Sequence, residues 1–235
     1  MALSALQEFP CLKYQQEKLF QDDGDAKVLL MRHERRDKVY VVKVVESSKI
    51  SEYREGLSHE AYMGMKVLDH KRFAKTYKYY VTATLHYLVI EYIEGMELRA
   101  FVAQCQGEKI YSDQFKPLLR SYYQAMTYLV RNEIFPRGLH DRNVIVEKDH
   151  RVKIIDFEAF MINNDPHRVD SLDMGHRMFE PIRPLFALEN VDIGADFKEF
   201  QKLTKDYWRT DGWGELGEWV QKVLKHPFLQ KEKKA

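Results

Sequence analysis

Ile134–Phe160 reads IFPRGLHDRNVIVEKDHRVKIIDFEAF, and the rest of the chain takes its meaning from this stretch. Two short β-branched runs, VIVEK (144–148) and RVKII (151–155), flank a polar Asp149-His150 turn, which is the pattern of a β-hairpin. Asn143 precedes the first run and Asp156 follows the second. A hairpin therefore brings an amide and a carboxylate to one end of a small sheet. Two hard oxygen donors beside an open site suit Mg²⁺, which takes one or two protein oxygens and completes its shell with substrate phosphates. With no ligand at all, the same residues make a polar-edged hairpin, so their meaning depends on what accompanies them along the chain.

Composition narrows the field. The chain has 235 residues, 45% hydrophobic and 31% charged, as expected of one large soluble domain or two small lobes. A formal net charge of +1 gives no electrostatic ground for nucleic acid or an anionic membrane as partner. No apolar run approaches the length of a membrane helix. The N-terminal MALSALQEFP lacks a basic region and places Glu8 where an apolar core should be, so it does not read as a secretory signal. Cys11 and Cys105 form neither a metal-ligand pattern nor a disulfide framework, which fits a reducing compartment. A cytoplasmic protein is expected.

Upstream of the hairpin, residues from about 18 to 93 alternate β-rich runs with one helix, and from about 97 onward the pattern is mostly helical. The change near Glu91–Glu94 predicts a small β-rich lobe over 1–94 and a helical lobe over 95–235. KVLLMRH (27–33) and KVYVVKVVE (38–46) read as strands joined by the turn Glu34 to Asp37. Lys43 falls among Val41, Val42, Val44 and Val45, either as an outward-facing edge charge or as a buried cation that needs a partner. SEYREGLSHEAYMGMKVLDH (51–70) supplies one: its spacing predicts a helix with Tyr53, Leu57, Ala61 and Met65 on one face and Glu60 near the middle. Ser51 suits an N-cap, Glu52 and Glu55 suit the positive helix end, and Glu55 is the alternative partner for Lys43.

Further along, LHYLVIEYIEGMELRAF (85–101) runs from an apolar strand through a Glu94-Gly95 breaker into a helix starting about Glu97. LRSYYQAMTYLVRNEIF (119–135) has an apolar stripe of Leu119, Tyr122, Ala125, Met126, Leu129 and Val130, which reads as core. RVDSLDMGHRMF (168–179) opens another helix after a very short segment. KEFQKLTKDYW (198–208) and GEWVQKVLKHPFL (217–229) read as helices around Gly212-Trp213-Gly214, with Trp208, Trp213 and Trp219 as core.

Lys43, Glu60, the crossover at Glu91–Glu97, Asn143, Asp156-Phe157 and Asp170 occur in the order of a protein-kinase catalytic domain. Over roughly residues 15 to 180 the chain resembles a compact, atypical member of the protein-kinase-like superfamily. Its short segment after Glu158 is similar to that of lipopolysaccharide-core and RIO-type kinases. More narrowly, LRAFVAQCQGEKI (98–110) and YLVRNEIFPRGLHDRNVIV (128–146) are similar to the bacterial YrbL family of the PhoP regulatory network. The resemblance implies an α+β, two-lobed fold with a β-rich N-lobe, a helical C-lobe and a short activation segment. It implies ATP and Mg²⁺, with Lys43 and Glu60 holding the phosphates, the Glu91 and Ile93 backbone reading adenine, Glu97 near the ribose, and Asn143 and Asp156 on the metal. Asp170 takes either the structural role of the kinase aspartate that binds catalytic-loop backbone or that of a plain N-cap.

Two departures bear on activity. QDDGDAK (21–27) is a poor phosphate loop: Gly24 is its one glycine and stands among acidic residues, as in a solvated turn. In the register H-R-D-x-x-x-x-N the catalytic aspartate is replaced by Gly138. Either Asp141 reaches the acceptor hydroxyl by a rerouted loop, or the site is degraded; His140 stands where many kinases place a cation near the γ-phosphate. Glu158, where most kinases have glycine, either adds a metal ligand or faces solvent, and Asp-Phe-Glu also occurs in choline and aminoglycoside kinases. The short segment favours a small-molecule or folded-protein acceptor over an extended peptide. Two classes result: an ATP- and Mg²⁺-dependent phosphotransferase with a degenerate catalytic loop, or a pseudokinase acting as a nucleotide-responsive regulatory module with a protein partner.

Overall fold

A computed structural model describes residues 14–22, 26–35, 37–49, 56–106, 110–162, 171–188, 191–192, 196–206 and 212–230. The chain divides into two compact units, one formed by the residues up to Ile93 with Asp156–Glu158, the other by Glu94–Ile155 and the residues from Ala159 on. Cys11, Gly24, Ser51, Glu52, Tyr53, Glu55, Asp170 and Trp208, and the roles expected of them, lie outside the described residues.

The first unit is an antiparallel sheet of β1 (Tyr14–Asp22), β2 (Ala26–His33), β3 (Lys38–Glu46), β4 (Thr76–Val81) and β5 (Leu85–Glu91), in the order β1-β2-β3-β5-β4. Side chains alternate across a strand. Val42 and Val44 therefore share one face with Leu29, Met31, Tyr40, Tyr87 and Val89 in a buried cluster. Each such side chain contributes roughly 1.5–3 kcal/mol by leaving water. Alternation turns Lys43 to the opposite face, between its register partners Val28 and Leu88.

Helix α1 (Gly56–Tyr62) follows and continues as a π-helical turn over Met63–Val67. Leu57, Glu60 and Ala61 are buried at the i, i+3, i+4 spacing of a helix face. Met65, expected on that face, is instead 46% exposed, and Met63 takes the fully buried place. A π-turn advances each residue by less than the α-helical angle, so the stripe that holds through Ala61 is lost beyond it.

In the second unit, β6 (Gly95–Glu97) precedes α2 (Leu98–Cys105), and β7 (Ile110–Tyr111) precedes α3 (Ser112–Arg131). Beyond β8 (Ile134–Phe135) comes the hairpin of β9 (Val144–Glu147) and β10 (Val152–Ile154), in register Val146↔Val152 and Val144↔Ile154. Strand β6 adds to its edge, giving the order β10-β9-β6. The approach is close: a Cβ on Gly95 would lie 2.3 Å from the Val146 carbonyl oxygen, so only glycine fits there. Next in order are β11 (Met161–Ile162), paired with β8, α4 (Ser171–Phe179), β12 (Val191–Asp192), paired in parallel with β7, α5 (Asp196–Lys205) and α6 (Gly212–Lys225).

The apolar stripe of α3 is buried along its length, from Phe115 to Val130. The helix ends at Arg131 rather than running on to Phe135, because Glu133 adopts φ +50 and turns the chain out of the helical path. Gly212-Trp213-Gly214 is the first turn of α6 and not a break before it. Trp219 is buried, its indole N–H donating to the Leu203 carbonyl at 2.8 Å, and Trp213 is half-buried. No described helix is long and apolar enough to cross a membrane.

Candidate functional site

Lys43, Glu60 and Asp156 meet in the sheet unit. The Lys43 ammonium donates to Glu60 Oε1 and Oε2 at 2.9 and 2.8 Å and to Asp156 Oδ1 at 2.9 Å. Alternation along β3 aims Lys43 at the α1 face, and the helical spacing of α1 places Glu60 inward, 1% exposed. Lys43 is thus a half-buried cation with partners, not an edge charge. Burial opposes the Lys43 charge, but the Glu60 and Asp156 carboxylates outweigh it and hold the ammonium protonated well above the usual lysine range. For Glu60, complete burial raises the pKa; Lys43 opposes the rise, and Asp156 and Glu158 add to it. Burial and the neighbouring Asp156 raise Glu158 as well, against the pull of Lys43. Three carboxylates thus gather around one ammonium, an excess of negative charge that a cation would relieve.

Asp156 is held in an uncommon shape. Its φ of +65 lies in the left-handed region, which aspartate tolerates better than most residues. The next side chain anchors it: Phe157 is 1% exposed and meets Phe73 edge to face with centroids 6.0 Å apart. Gly64, in the π-turn, keeps this corner tight, since a Cβ there would stand 2.0 Å from Thr76 Oγ1 and 3.5 Å from the Phe157 ring. The sequence reading passed over Phe73, Gly64 and Thr76; an isolated glycine inside a helical pattern was the one available signal.

The stretch from Ile134 to Ile155 lies in the helical unit and is tied down by backbone and side-chain hydrogen bonds. Val152 N–H donates to Ser121 Oγ at 2.8 Å, tying β10 to α3. Beyond β10 the pairing continues, with Ile155 N–H donating to the Asn143 carbonyl at 2.9 Å. Asn143 is buried; its N–H donates to the His140 carbonyl at 3.0 Å and its side-chain amide to the Gly138 carbonyl at 3.5 Å. That leaves the Asn143 side-chain oxygen free to accept. Asp141 is anchored by its carbonyl, which accepts from Arg99 N–H at 3.3 Å, while its carboxylate makes no hydrogen bond among the described residues. His140 is exposed, with Nδ1 accepting from Arg142 N–H at 3.3 Å. Gly138 adopts φ +78, and a Cβ there would come within 3.2 Å of the Ala159 Cβ.

The remaining sequence candidates fall on the strand-to-helix crossover. Glu91 ends β5, paired with Tyr40, and its carboxylate accepts from Lys75 N–H at 3.0 Å. Ile93 is buried, and its N–H and C=O make no hydrogen bond among the described residues. Glu97 is exposed at the end of β6, directly before α2.

Residues 23–174 match the protein kinase domain, and the chain belongs to that family. Among similar proteins are the maternal embryonic leucine zipper kinase of Danio rerio, 26% identical over 134 residues, and the Aurora kinase C of Mus musculus, 26% identical over 135. A sperm motility kinase of Mus musculus, the Tcr mutant form, is 31% identical over 134 residues. These matches take in 57%, 56% and 57% of this chain but 19%, 48% and 27% of the respective kinases, so the chain spans half or less of each.

Proposed function

We infer that this kinase-domain chain is an ATP- and Mg²⁺-dependent phosphotransferase with a rebuilt catalytic loop. The single observation that carries the reading is the Lys43 ammonium shared between Glu60 and Asp156, at 2.8–2.9 Å, in a chain of this family. Lys43, held charged and oriented by Glu60, would bind the α- and β-phosphates. Ile93 supports an adenine-reading hinge because its main-chain groups are uncommitted among the described residues, and Glu97 would meet the ribose hydroxyls.

The donor chemistry fits Mg²⁺. Asn143 offers an uncommitted amide oxygen and Asp156 a carboxylate, both hard oxygens, and no group of three or more His, Cys, Asp or Glu able to hold a metal occurs among the described residues. One or two protein oxygens are what Mg²⁺ takes when phosphates and water complete its shell. The ion would neutralise charge on the transferring phosphoryl group. The acceptor oxygen bonds to the γ-phosphorus, the bond to the bridging oxygen of the leaving ADP breaks, and the acceptor proton passes to a base. Gly138 supplies none, and Asp141, whose carboxylate makes no hydrogen bond among the described residues, is the candidate. His140 would add a γ-phosphate contact.

The short segment after Glu158 favours a small-molecule or folded-protein acceptor. A cytoplasmic enzyme akin to the YrbL kinases is the reading that the Leu98–Ile110 and Tyr128–Val146 segments support. The second reading, a pseudokinase acting as a nucleotide-responsive module with a regulatory protein partner, draws on Gly138 at the base position. Thermal-shift measurements with ATP, with and without Mg²⁺, test the nucleotide site. A radiolabelled γ-phosphate transfer assay then separates enzyme from pseudoenzyme. Absence of any ATP-induced shift with Mg²⁺ present would reject both readings.

A further inference from the structure

We propose that the phosphate acceptor is a small hydroxy compound that already carries a phosphate monoester, held by Arg99, Arg137 and Arg142 around Asp141. This inference rests on the phosphotransferase reading above and names the second substrate of that same site. The Pro136–Asn143 loop is two tight turns laid end to end. Leu139 N–H donates to the Pro136 carbonyl at 3.1 Å and Asn143 N–H to the His140 carbonyl at 3.0 Å, each the i to i+3 bond of a β-turn. Gly138, with φ +78, takes the third position of the first turn, where a type II turn needs a positive φ. Arg137 is thereby a central residue of the first turn, and Asp141 and Arg142 are the central pair of the second. Both arginines are exposed and Asp141 is half-buried. Arg99, exposed in the first turn of α2, is brought to the same place by its N–H, which donates to the Asp141 carbonyl at 3.3 Å.

Charge decides what such a loop can hold. None of the three arginines makes an ion pair among the described residues, so the Asp141 carboxylate neutralises none of them. Other exposed arginines of this unit do find carboxylates: Arg151 pairs with Asp149, Arg177 with Asp173 and Arg183 with Glu180. Three guanidinium groups against one carboxylate leave two positive charges in excess, in a chain whose formal net charge is only +1. A phosphate monoester carries about −1.5 to −2 at pH 7 and matches that excess; a single carboxylate would leave half of it unmet. The planar guanidinium fork also fits a phosphate with two parallel hydrogen bonds. The proton sets where that phosphate lies. A hydroxyl that gives its proton to Asp141 must come within hydrogen-bond reach of the carboxylate. Other groups on the same small molecule then fall beside Arg142, next in the chain, and Arg99, one backbone bond away. In the transfer the hydroxyl oxygen bonds to the γ-phosphorus and the bond to the bridging oxygen of ADP breaks. The proton passes to Asp141, and the acceptor's own phosphate stays on the arginines unchanged.

The probe is glycerol 3-phosphate against glycerol, followed through the arginine Nε–H signals of a ¹⁵N-labelled full chain without nucleotide. Saturable shifts of Arg99, Arg137 and Arg142 are expected with glycerol 3-phosphate and none with glycerol. Arg99→Gln and Arg142→Gln should each weaken binding about tenfold. The melting temperature should not change, because both side chains are exposed and without an ion pair among the described residues. With ATP and Mg²⁺, the γ-phosphate should pass to glycerol 3-phosphate and not to glycerol, and Asp141→Ala should stop transfer while leaving the shifts in place. Phosphorylated casein is the second arm: transfer to it that exceeds transfer to glycerol 3-phosphate, and falls on dephosphorylation, supports the same site with the phosphate carried by a protein. Shifts that fail to saturate, or transfer to glycerol as fast as to its phosphate, would overturn the proposal, while an ATP-induced thermal shift leaves the phosphotransferase reading standing. Saturation without transfer to either phosphorylated probe would overturn it too, by leaving a phosphate site that is not an acceptor site. Arginine shifts that saturate in a chain that ATP and Mg²⁺ do not stabilise would instead sink the parent reading, and the acceptor role with it.

Discussion

In the sheet unit Lys43 makes three contacts of 2.8–2.9 Å and Glu60 is 1% exposed, whereas in the Pro136–Asn143 loop the Asp141 carboxylate has no hydrogen-bond partner among the described residues and His140 is exposed. Ionisable residues are treated in opposite ways. The first set is fixed by a strand, a helix and its own mutual attraction, so the charges are oriented before any ligand arrives. In the loop His140 is held only by a local bond to Arg142 N–H, and the Asp141 carboxylate, without a hydrogen bond among the described residues, keeps its rotamer freedom. Groups that hold a substrate gain from being fixed in advance. A proton acceptor must instead come within hydrogen-bond reach of its donor in the assembled complex, and geometry before binding need not show that contact.

The harshest way to break this contrast is Lys43→Met. Glu60 would lose its counter-charge while still buried, and removing one partner of a buried pair costs ~3–5 kcal/mol. At ~2–4 °C per kcal/mol for a chain of this size, melting should fall by roughly 6–20 °C, with loss of any ATP-induced shift. A melting temperature within a degree of the parent would mean that the pair is not the organising feature of the sheet unit.

Asp141→Ala probes the other side. It should lower γ-phosphate transfer by ~10²-fold or more and leave the ATP-induced thermal shift unchanged, because the carboxylate holds nothing in place. Unaltered transfer would remove Asp141 as base and favour the regulatory reading.

Gly138→Asp sharpens the comparison. A carboxylate at the position usual in kinases is chemically attractive, but the backbone there has φ +78 and the new Cβ would approach the Ala159 Cβ at 3.2 Å. A destabilisation of ~1–2 kcal/mol is expected for a left-handed side chain, read from chemical denaturation. Any rise in transfer has to be measured against that loss.

The smallest effect is expected from Glu158→Gln, and it depends on pH. Glu158 has a raised pKa in the folded chain, so the native state binds its proton more tightly than the unfolded state does. Its contribution is thus fully present below the unfolded carboxyl range and is lost as pH rises through the folded value. The variant should match the parent near pH 4 and melt slightly higher above about pH 6. A gap that widens toward low pH instead would reverse the assigned electrostatics.

How much of this was legible beforehand differs between the two regions for physical reasons. The hairpin around Asp149-His150 could be read because β-branched runs and a polar turn are local signals, and the family assignment followed from order along the chain. The facing of Glu60 toward Lys43 was readable because periods of two and of 3.6 residues fix which way each side chain points. Met65 was not readable, because the π-turn at Met63–Val67 breaks that period and leaves no mark in composition. Strand β1 was not singled out either, since YQQEKLFQD is polar at most positions and is a strand because β2 pairs with it. The left-handed backbones of Asp156 and Glu133 are set by surrounding structure and have no signature in residue type.

The bonds of Lys43 join residues that are made at very different times. Lys43 and Glu60 are separated by 17 residues and Lys43 and Asp156 by 113. At ribosomal speeds of roughly 5–20 residues per second, about 6–23 seconds pass between the emergence of the lysine and that of its second carboxylate. During that interval the sheet can close on the Lys43–Glu60 pair alone, while the last piece of its unit, Asp156–Glu158, has yet to be translated. A nascent chain halted at residue 150 should therefore hold a protease-resistant sheet whose lysine lacks its third contact, and extension past residue 158 should raise that resistance in a single step.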